Sequence, residues 1–421
     1  MMCSKMDKKA FDWLLLWMIT AIYFFANLQK VIIPGATFNK LQNIFAIDNA
    51  DAVTSLGAVF LGVYAAAQLV AGVLADRYGG ARVIMVGGFV FCAGSVLSAF
   101  EISLPLLYFS RFLTGLGAAS IYLSMVKEIG RVAGNSMPMV IGIATIIGYS
   151  GSITGAAPFA AGVAKYGYFA MVMTAGVAAC VFYALYAVAS FKQILPPVKK
   201  EVRFSCRGYL SVLSTKQNNA LIFAVGISFG TYFALQSTIG KKFLEDFCGF
   251  SSNSSALVMT VTMIIAAVNG FVVANISRLT GNRRRPTILF SGIGCFFGAG
   301  LISVGILLDT SCVLPLCGMI LMAFAGNISP IYVALLKESN REDSFGTVVC
   351  VGNCLAYGIS SLFSAGAGKL MDFFEPQVIG DIRVYGRGSY LLVFGVLTVL
   401  GIISALLSLL VKESCGKDIS K

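Results

Sequence analysis

Two cations lie where cations are costly. Lys30 falls in the first long apolar run of the chain, four residues before Pro34, and Arg111 falls in the fourth. At 1.5 Å per residue Arg111 sits about seven residues, or roughly 10 Å, in from one end of its run. Antiparallel neighbouring runs bring the two to comparable depth. Charges inside a membrane are rare and usually functional, and a desolvated ammonium or guanidinium gains most from an anionic partner. The pair therefore points to binding of an anionic group in a central cavity. The alternatives are a structural Lys30 held by a carbonyl or an outer-rim group, and a structural Arg111. Uncharged polar residues accompany them: Tyr23, Gln29 and Tyr122 in the first half, Tyr232, Gln236, Asn353 and Tyr357 in the second. Asn27, Asn269 and Asn327 lie at similar depth. Hydroxyl and amide groups in a dry cavity suit a hydroxylated or acidic ligand, whereas interhelical hydrogen bonding is the plainer role.

The elements that would position these groups are membrane helices. Of 421 residues, 57% are hydrophobic and 12% are charged, about half the charged share of a soluble domain. That excludes a soluble enzyme, a secreted disulfide scaffold and a disordered chain. Twelve apolar runs, each near the roughly 20 residues needed to cross a bilayer, fall at 11–35, 52–75, 81–101, 104–127, 137–163, 167–190, 219–243, 255–276, 286–308, 313–336, 345–369 and 388–411. The expected fold is an all-α membrane protein of twelve helices in two six-helix bundles, 1–191 and 219–421, joined by a polar linker at 192–218. The net charge of +12 follows the same layout. With the N-terminus inside, 22 of the 31 Lys and Arg fall on the inner side, seven on the outer side and two within spans. This positive-inside bias places both termini in the cytoplasm and makes lipid, not nucleic acid, the partner of the basic surface.

Other chemistry finds little material. There are no histidines and no Cys-x-x-Cys, so neither a metal nor another cofactor is expected. The eleven cysteines lie mostly inside spans; Cys248 and Cys312 fall in outer connections, with no spacing that pairs them. No Gly-x-x-x-x-Gly-Lys-Ser/Thr loop occurs, which excludes ATP-driven pumping by this chain alone. The run after Lys8 and Lys9 is too long for a cleaved signal core and reads as a first span. No Asp or Glu lies at mid-span. Proton symport commonly uses a buried carboxylate, so exchange, facilitated diffusion, or coupling through a span-end group such as Asp12 or Glu101 is favoured.

The chain is written twice. Lys127-Glu128 at the end of span 4 answers Lys337-Glu338 at the end of span 10, an offset of 210 residues. Tyr23-Phe24-Phe25-Ala26-Asn27-Leu28-Gln29 answers Tyr232-Phe233-Ala234-Leu235-Gln236, and Asp76-Arg77-Tyr78-Gly79 answers Ser277-Arg278-Leu279-Thr280-Gly281. Such repeats are used by secondary transporters. Glycines on span 5 (Gly148, Gly151, Gly155) and span 11 (Gly358, Gly366, Gly368) read as close-packing faces, and Pro158 as a kink. The segment from Gly72 to Arg82, with Asp76, Arg77, Gly79 and Arg82 in place, resembles the loop 2–3 signature of the major facilitator superfamily. The resemblance covers essentially the whole chain and implies alternating access by two rocking bundles. Asp76, Arg77, Arg82 and Arg278 are then gating candidates. Arg111 to Gly117 is similar to the span 4 motif, where the arginine serves proton coupling or structure.

Within the superfamily, Leu28-Gln29-Lys30 followed by Pro34 resembles the anion–cation symporters and the organophosphate antiporters. Gln29 and Ala118 stand where sugar-acid symporters carry acids, and span 7 offers Gln236 and Ser237 in place of a second arginine. The expected function is transport of a small organic anion, a sugar acid, carboxylate or phosphorylated metabolite. The alternatives are a neutral-solute carrier and a transport-dead sensor. One chain completes the fold, so a monomer is expected to suffice. Short loops point to a bacterial-type inner membrane.

Overall fold

The computed structural model describes residues 8–133, 136–194, 206–309, 312–341, 345–380 and 382–419. Twelve helices are long and apolar enough to cross a membrane, from Lys8–Ala36 to Arg387–Leu409. In hydrocarbon every backbone polar group must be satisfied within the segment, which leaves helices as the answer to a long apolar run. Their ends fall within three residues of the sequence expectation except at spans 3 and 4. Span 4 runs on to Ala133 rather than 127, because Lys127, Glu128 and Arg131 end the apolar run without ending the helix. Span 7 likewise continues to Asp246.

The chain packs as two compact units, Met1–Ile32 with Ala66–Phe204, and Ile33–Ala65 with Ser205–Lys421. The sequence halves and the packing units differ in one segment: residues 33–65, the end of span 1 and the start of span 2, pack with the second unit. Part of the linker, 195–205, lies outside the described residues.

In the first unit, spans 3 and 4 meet backbone to backbone. A Cβ at Gly117 would stand 2.3 Å from the Phe91 nitrogen, a contact that only glycine allows and that membrane helices use in place of a hydrophobic drive. Spans 9 and 10 of the second unit repeat the device: a Cβ at Gly318 would stand 2.4 Å from the Gly298 carbonyl oxygen. Gly79 turns the chain into span 3 with φ of 88°, where a side chain would be strained.

The repeated Lys-Glu pair lands at equivalent places. Glu128 accepts the Ala81 N–H at the start of span 3 (3.1 Å) and pairs with Arg131 (2.7 Å), which reaches Asp12 at 3.4 Å. Glu338 pairs with Arg284 at the start of span 9 (2.9 Å) and accepts Ser414 Oγ (2.6 Å). Glu413 completes the second cluster by accepting the Arg284 and Arg285 N–H groups at 2.8 and 3.0 Å. Burial pushes the Glu413 carboxyl up, but the backbone N–H groups of Arg284, Cys415, Arg285 and Ser414 outweigh it and hold it below the usual range.

Several spans are broken. Span 1 kinks at Ile33 (φ −127°, ψ 114°) ahead of Pro34, whose missing N–H removes a helical bond. Span 5 breaks between Thr154 and Ala157, next to Pro158. Span 10 stops at Gly326 and restarts at Ser329. That break is stapled from span 8: Asn269 Nδ2 donates to the carbonyls of Phe324 (2.6 Å) and Asn327 (3.1 Å), and Asn327 Nδ2 donates back to Ala266 O (2.9 Å). The two asparagines thus take the interhelical role rather than a ligand role. Asn269→Leu would strand those carbonyls. With membrane hydrogen bonds worth about 0.6 kcal/mol on average and at most about 1.7, the expected loss is about 1–2 kcal/mol, seen as a melting temperature in detergent lowered by a few degrees. Asn275→Leu on the exposed face of the same helix should leave it unchanged; equal shifts would remove the stapling role.

The second unit gathers the ends that the charge bias assigns to the outside. Between spans 11 and 12 two short strands, β1 (Gln377–Ile379) and β2 (Ile382–Val384), form an antiparallel hairpin with Val378 opposite Arg383. The hairpin is anchored on span 7. Lys242, with its side chain fully buried, pairs with Asp246 at 2.6 Å and donates to the Arg383 carbonyl. Asp246 also accepts the Tyr385 N–H (3.0 Å) and the Tyr390 hydroxyl (2.8 Å). From this anchor the hairpin reaches residues 33–65. Arg383 binds Asp48 at 2.7 Å, and Gln42 donates to the Tyr385 hydroxyl at 3.1 Å. The carboxylate of Asp372, just past span 11, accepts the N–H groups of Ala50 (2.6 Å) and Asp51 (2.8 Å) at the start of span 2. Gly368 lets the two helices touch: a Cβ there would lie 2.7 Å from Asp51 Cα. Gly358 and Gly366 have no atom within 4 Å of such a Cβ, so the expected close-packing face on span 11 reduces to Gly368.

Candidate functional site

In the first unit, span 1 presents Tyr23, Asn27, Gln29 and Lys30 over two turns, and span 4 presents Arg111 and Tyr122. Asn27 is fixed first. Its Nδ2 donates to the Tyr23 carbonyl at 2.9 Å, and the Ser152 hydroxyl of span 5 donates to the Asn27 carbonyl at 3.3 Å. Span 5 approaches because residue 148 is glycine; a Cβ there would stand 2.2 Å from the Tyr23 ring and 3.0 Å from Asn27 Nδ2. The Tyr23 ring rests against Tyr122 with centroids 5.4 Å apart.

Asn27 Oδ1 then accepts from Lys30 Nζ at 3.5 Å, one helical turn on. On the adjoining face Gln29 Oε1 accepts from the Arg111 guanidinium, also at 3.5 Å. Lys30 is 6% exposed and Arg111 0%. Both contacts are to neutral amide oxygens, at the long limit of a hydrogen bond. Gln29 Nε2 is buried and has no hydrogen-bond partner among the described residues. A stranded donor of this kind costs about 1–3 kcal/mol unless something supplies an acceptor. The arrangement therefore offers two cationic groups and one amide donor to an oxygen-rich anion. A separate crevice, lined by Asp12, Glu128, Arg131 and Tyr186, lies near the other end of span 1 and includes neither Lys30 nor Arg111.

The other four polar candidates lie in the second unit. Gln236 is buried in a wide turn at Leu235–Ile239, and its Nε2 has no hydrogen-bond partner among the described residues. Tyr232 is buried on Gly326, with its hydroxyl 3.5 Å from the Thr262 carbonyl. Tyr357 is half-buried in an aromatic cluster, edge-on to Tyr64 at 4.8 Å and to Phe229 at 5.4 Å. Asn353 is half-buried four residues before it.

Of the gating candidates, the Asp76 side chain lies outside the described residues. Arg77 is exposed, with its guanidinium 5.2 Å from the Tyr78 ring centroid, and Arg82 donates to the Tyr78 carbonyl at 3.3 Å. Arg278 is exposed, while Arg284, six residues on, makes the pair with Glu338. Lys127 donates to the Ala75 carbonyl at the end of span 2. In the sequence Lys127 stood out only as half of the repeated Lys-Glu pair and Arg284 only as a member of a charged run, and no local signal marks which cation reaches an acceptor.

Comparison with known proteins agrees with this architecture. The crystal structure of the nucleoside transporter NupG superposes with a TM-score of 0.71 at 13% identity, covering 94% of this chain and 99% of that one. At that identity the likeness is one of fold. Monocarboxylate transporter 2 of Homo sapiens is 30% identical over 132 residues, and that of Rattus norvegicus 27% over 132 residues. The matched stretch is 30% of this chain and 27% of each relative's length. The family model of the Major Facilitator Superfamily matches residues 15–365; with twelve helices long and apolar enough to cross a membrane, the chain belongs to that superfamily of membrane transporters.

Proposed function

We propose that this transporter moves a small organic anion by alternating access, with a carboxylate-bearing substrate held at Lys30 and Arg111. The observation that carries the reading is the pairing of two buried cations with neutral amides, Lys30 with Asn27 and Arg111 with Gln29, beside the unsatisfied Gln29 donor. A carboxylate would supply the acceptor oxygen that Gln29 Nε2 lacks and put a negative charge beside Lys30 and Arg111, and charge-assisted bonds in a dry site are the strong ones. The stretches shared with monocarboxylate transporters favour a carboxylate over a phosphorylated metabolite, and Gln236 in place of a span 7 arginine agrees. The resemblance of Leu28-Gln29-Lys30 to the anion-handling branches supports the same substrate charge. In this reading the sequence halves 1–191 and 219–421 are the moving bodies, the linker at 192–218 and both termini face the cytoplasm, and one chain suffices. Asp76, Arg77, Arg82 and Arg278 line the inner gate.

Purified protein should be stabilised by small carboxylates and sugar acids, with a melting temperature raised by several degrees at millimolar ligand, as mass action requires. Matching neutral sugars and nucleosides should give no shift. Stabilisation by the neutral compounds alone would replace the anion reading with a neutral-solute carrier. Stabilisation by an anion with no counterflow in liposomes would point to a sensor.

A further inference from the structure

Cys248 follows span 7 by two residues, and Cys312 immediately precedes span 10. Of the other described cysteines, Cys206 opens a short helix before span 7, Cys415 follows span 12, and the rest lie inside spans. Although 64 positions apart, the two meet: Cys312 Sγ lies 3.7 Å from the Cys248 carbonyl oxygen. Both residues are half-buried, so a small reagent can reach them. The charge bias places both connections on the outer side, where disulfides persist because no cytosolic reductant acts there.

We infer that Cys248 and Cys312 form a disulfide that ties the outer end of span 7 to the outer end of span 10. With Cys312 Sγ already against the Cys248 backbone, side-chain rotation is what brings the two sulfurs toward the geometry of the bond. The oxidant is a small-molecule disulfide such as oxidised glutathione, and the step is exchange. One cysteine thiolate attacks the reagent disulfide and expels one small thiolate, leaving a mixed disulfide. The second cysteine then displaces the remaining small thiol. One protein disulfide and two small thiols result, and the two cysteine protons pass to the leaving thiolates. Both ends of the bond lie in the second unit, so it braces that unit without fastening it to the first. It also closes a long loop containing spans 8 and 9, and long loops gain most from closure.

The test uses the full-length protein in intact cells. Free thiols are blocked with one alkylating reagent, the protein is reduced, and new thiols are labelled with a second reagent and located by mass spectrometry. The expected result is second-reagent label on both Cys248 and Cys312, with a linked peptide in the unreduced digest. Purified protein should also lose about 5 °C of melting temperature on reduction, and Cys248→Ser and Cys312→Ser should each abolish that loss. First-reagent label on both residues, persisting after incubation with oxidised glutathione, would overturn the proposal. A Lys165→Cys variant separates the sidedness from the bond, since Lys165 lies exposed at the outer end of span 5. If a membrane-impermeant reagent fails to label position 165 of that variant on intact cells, the outer assignment and the disulfide fall together. If it labels position 165 while Cys248 and Cys312 stay unlinked, the disulfide alone falls.

Discussion

Lys30→Gln should leave the protein folded while cutting anion uptake by about 30-fold or more. Removing one partner of a buried charge pair costs about 2–5 kcal/mol, and each 1.4 kcal/mol is a factor of ten in affinity. Stability should move little or in the opposite direction. Without substrate, Lys30 holds a charge at 6% exposure against a neutral amide 3.5 Å away, and desolvation of such a charge opposes folding. The glutamine keeps a donor in reach of Asn27 Oδ1 and discards the charge. An unchanged or raised melting temperature with lost uptake therefore marks a binding residue, whereas a lowered melting temperature with proportionate loss of both marks a structural one. Lys30→Arg should recover part of the uptake, because it restores charge in a longer, forked shape. Arg111→Gln should lose uptake as well, with a cost in stability, since the guanidinium is wholly buried between spans 1 and 4. Uptake within twofold of the unaltered protein in Lys30→Gln would remove Lys30 from the site.

The twelve spans were legible because apolar run length is a local property of the chain. Even the kinks announced themselves, through Pro34 beside Ile33 and Pro158 between the segments of span 5. The extension of span 4 escaped because a charge ends an apolar run without ending a helix, as Lys127 does. Side-chain pairing across the fold was another matter. Lys30 and Arg111 stood out by residue type, yet nothing local says that Gln29 turns to Arg111 while Asn27 turns to Lys30. Arg278 matched the repeat by position, but Arg284 makes the ion pair, since the start of span 9 falls there and Glu338 lies opposite. The hairpin at 377–384 left still less trace. Its strands are three residues long, and its partners Gln42, Asp48, Lys242 and Asp246 are scattered far from it in sequence.

That hairpin and the neighbouring Asp372 give the second large effect. The carboxylate of Asp372 caps the first N–H groups of span 2, where the helix dipole favours negative charge and orphan donors need acceptors. We predict that Asp372→Ala releases this docking. Loss of two charge-assisted hydrogen bonds at about 1–2 kcal/mol in total corresponds to a 5- to 30-fold fall in the docked population. Cysteines placed at Thr54 and Gly57, on the docked stretch of span 2, would report the change as faster alkylation in intact cells. The same docking should depend on pH. Burial, the largest influence, pushes the Asp372 carboxyl above its ordinary value; the Ala50 and Asp51 N–H groups pull it down, and the Asp51 carboxylate adds to the rise. On release the group returns to the ordinary range near 4. The docked form therefore binds the proton more tightly than the released form, and by linkage its population rises as pH falls toward that range. Alkylation at the two reporters should slow on acidification. Asp372→Asn, which cannot titrate, should flatten the profile while Arg383→Gln, which breaks the Asp48 pair, should weaken docking and leave the slope in place. A profile that survives Asp372→Asn would remove Asp372 as its source, and equal labelling in all variants would leave the hairpin without a part in holding span 2.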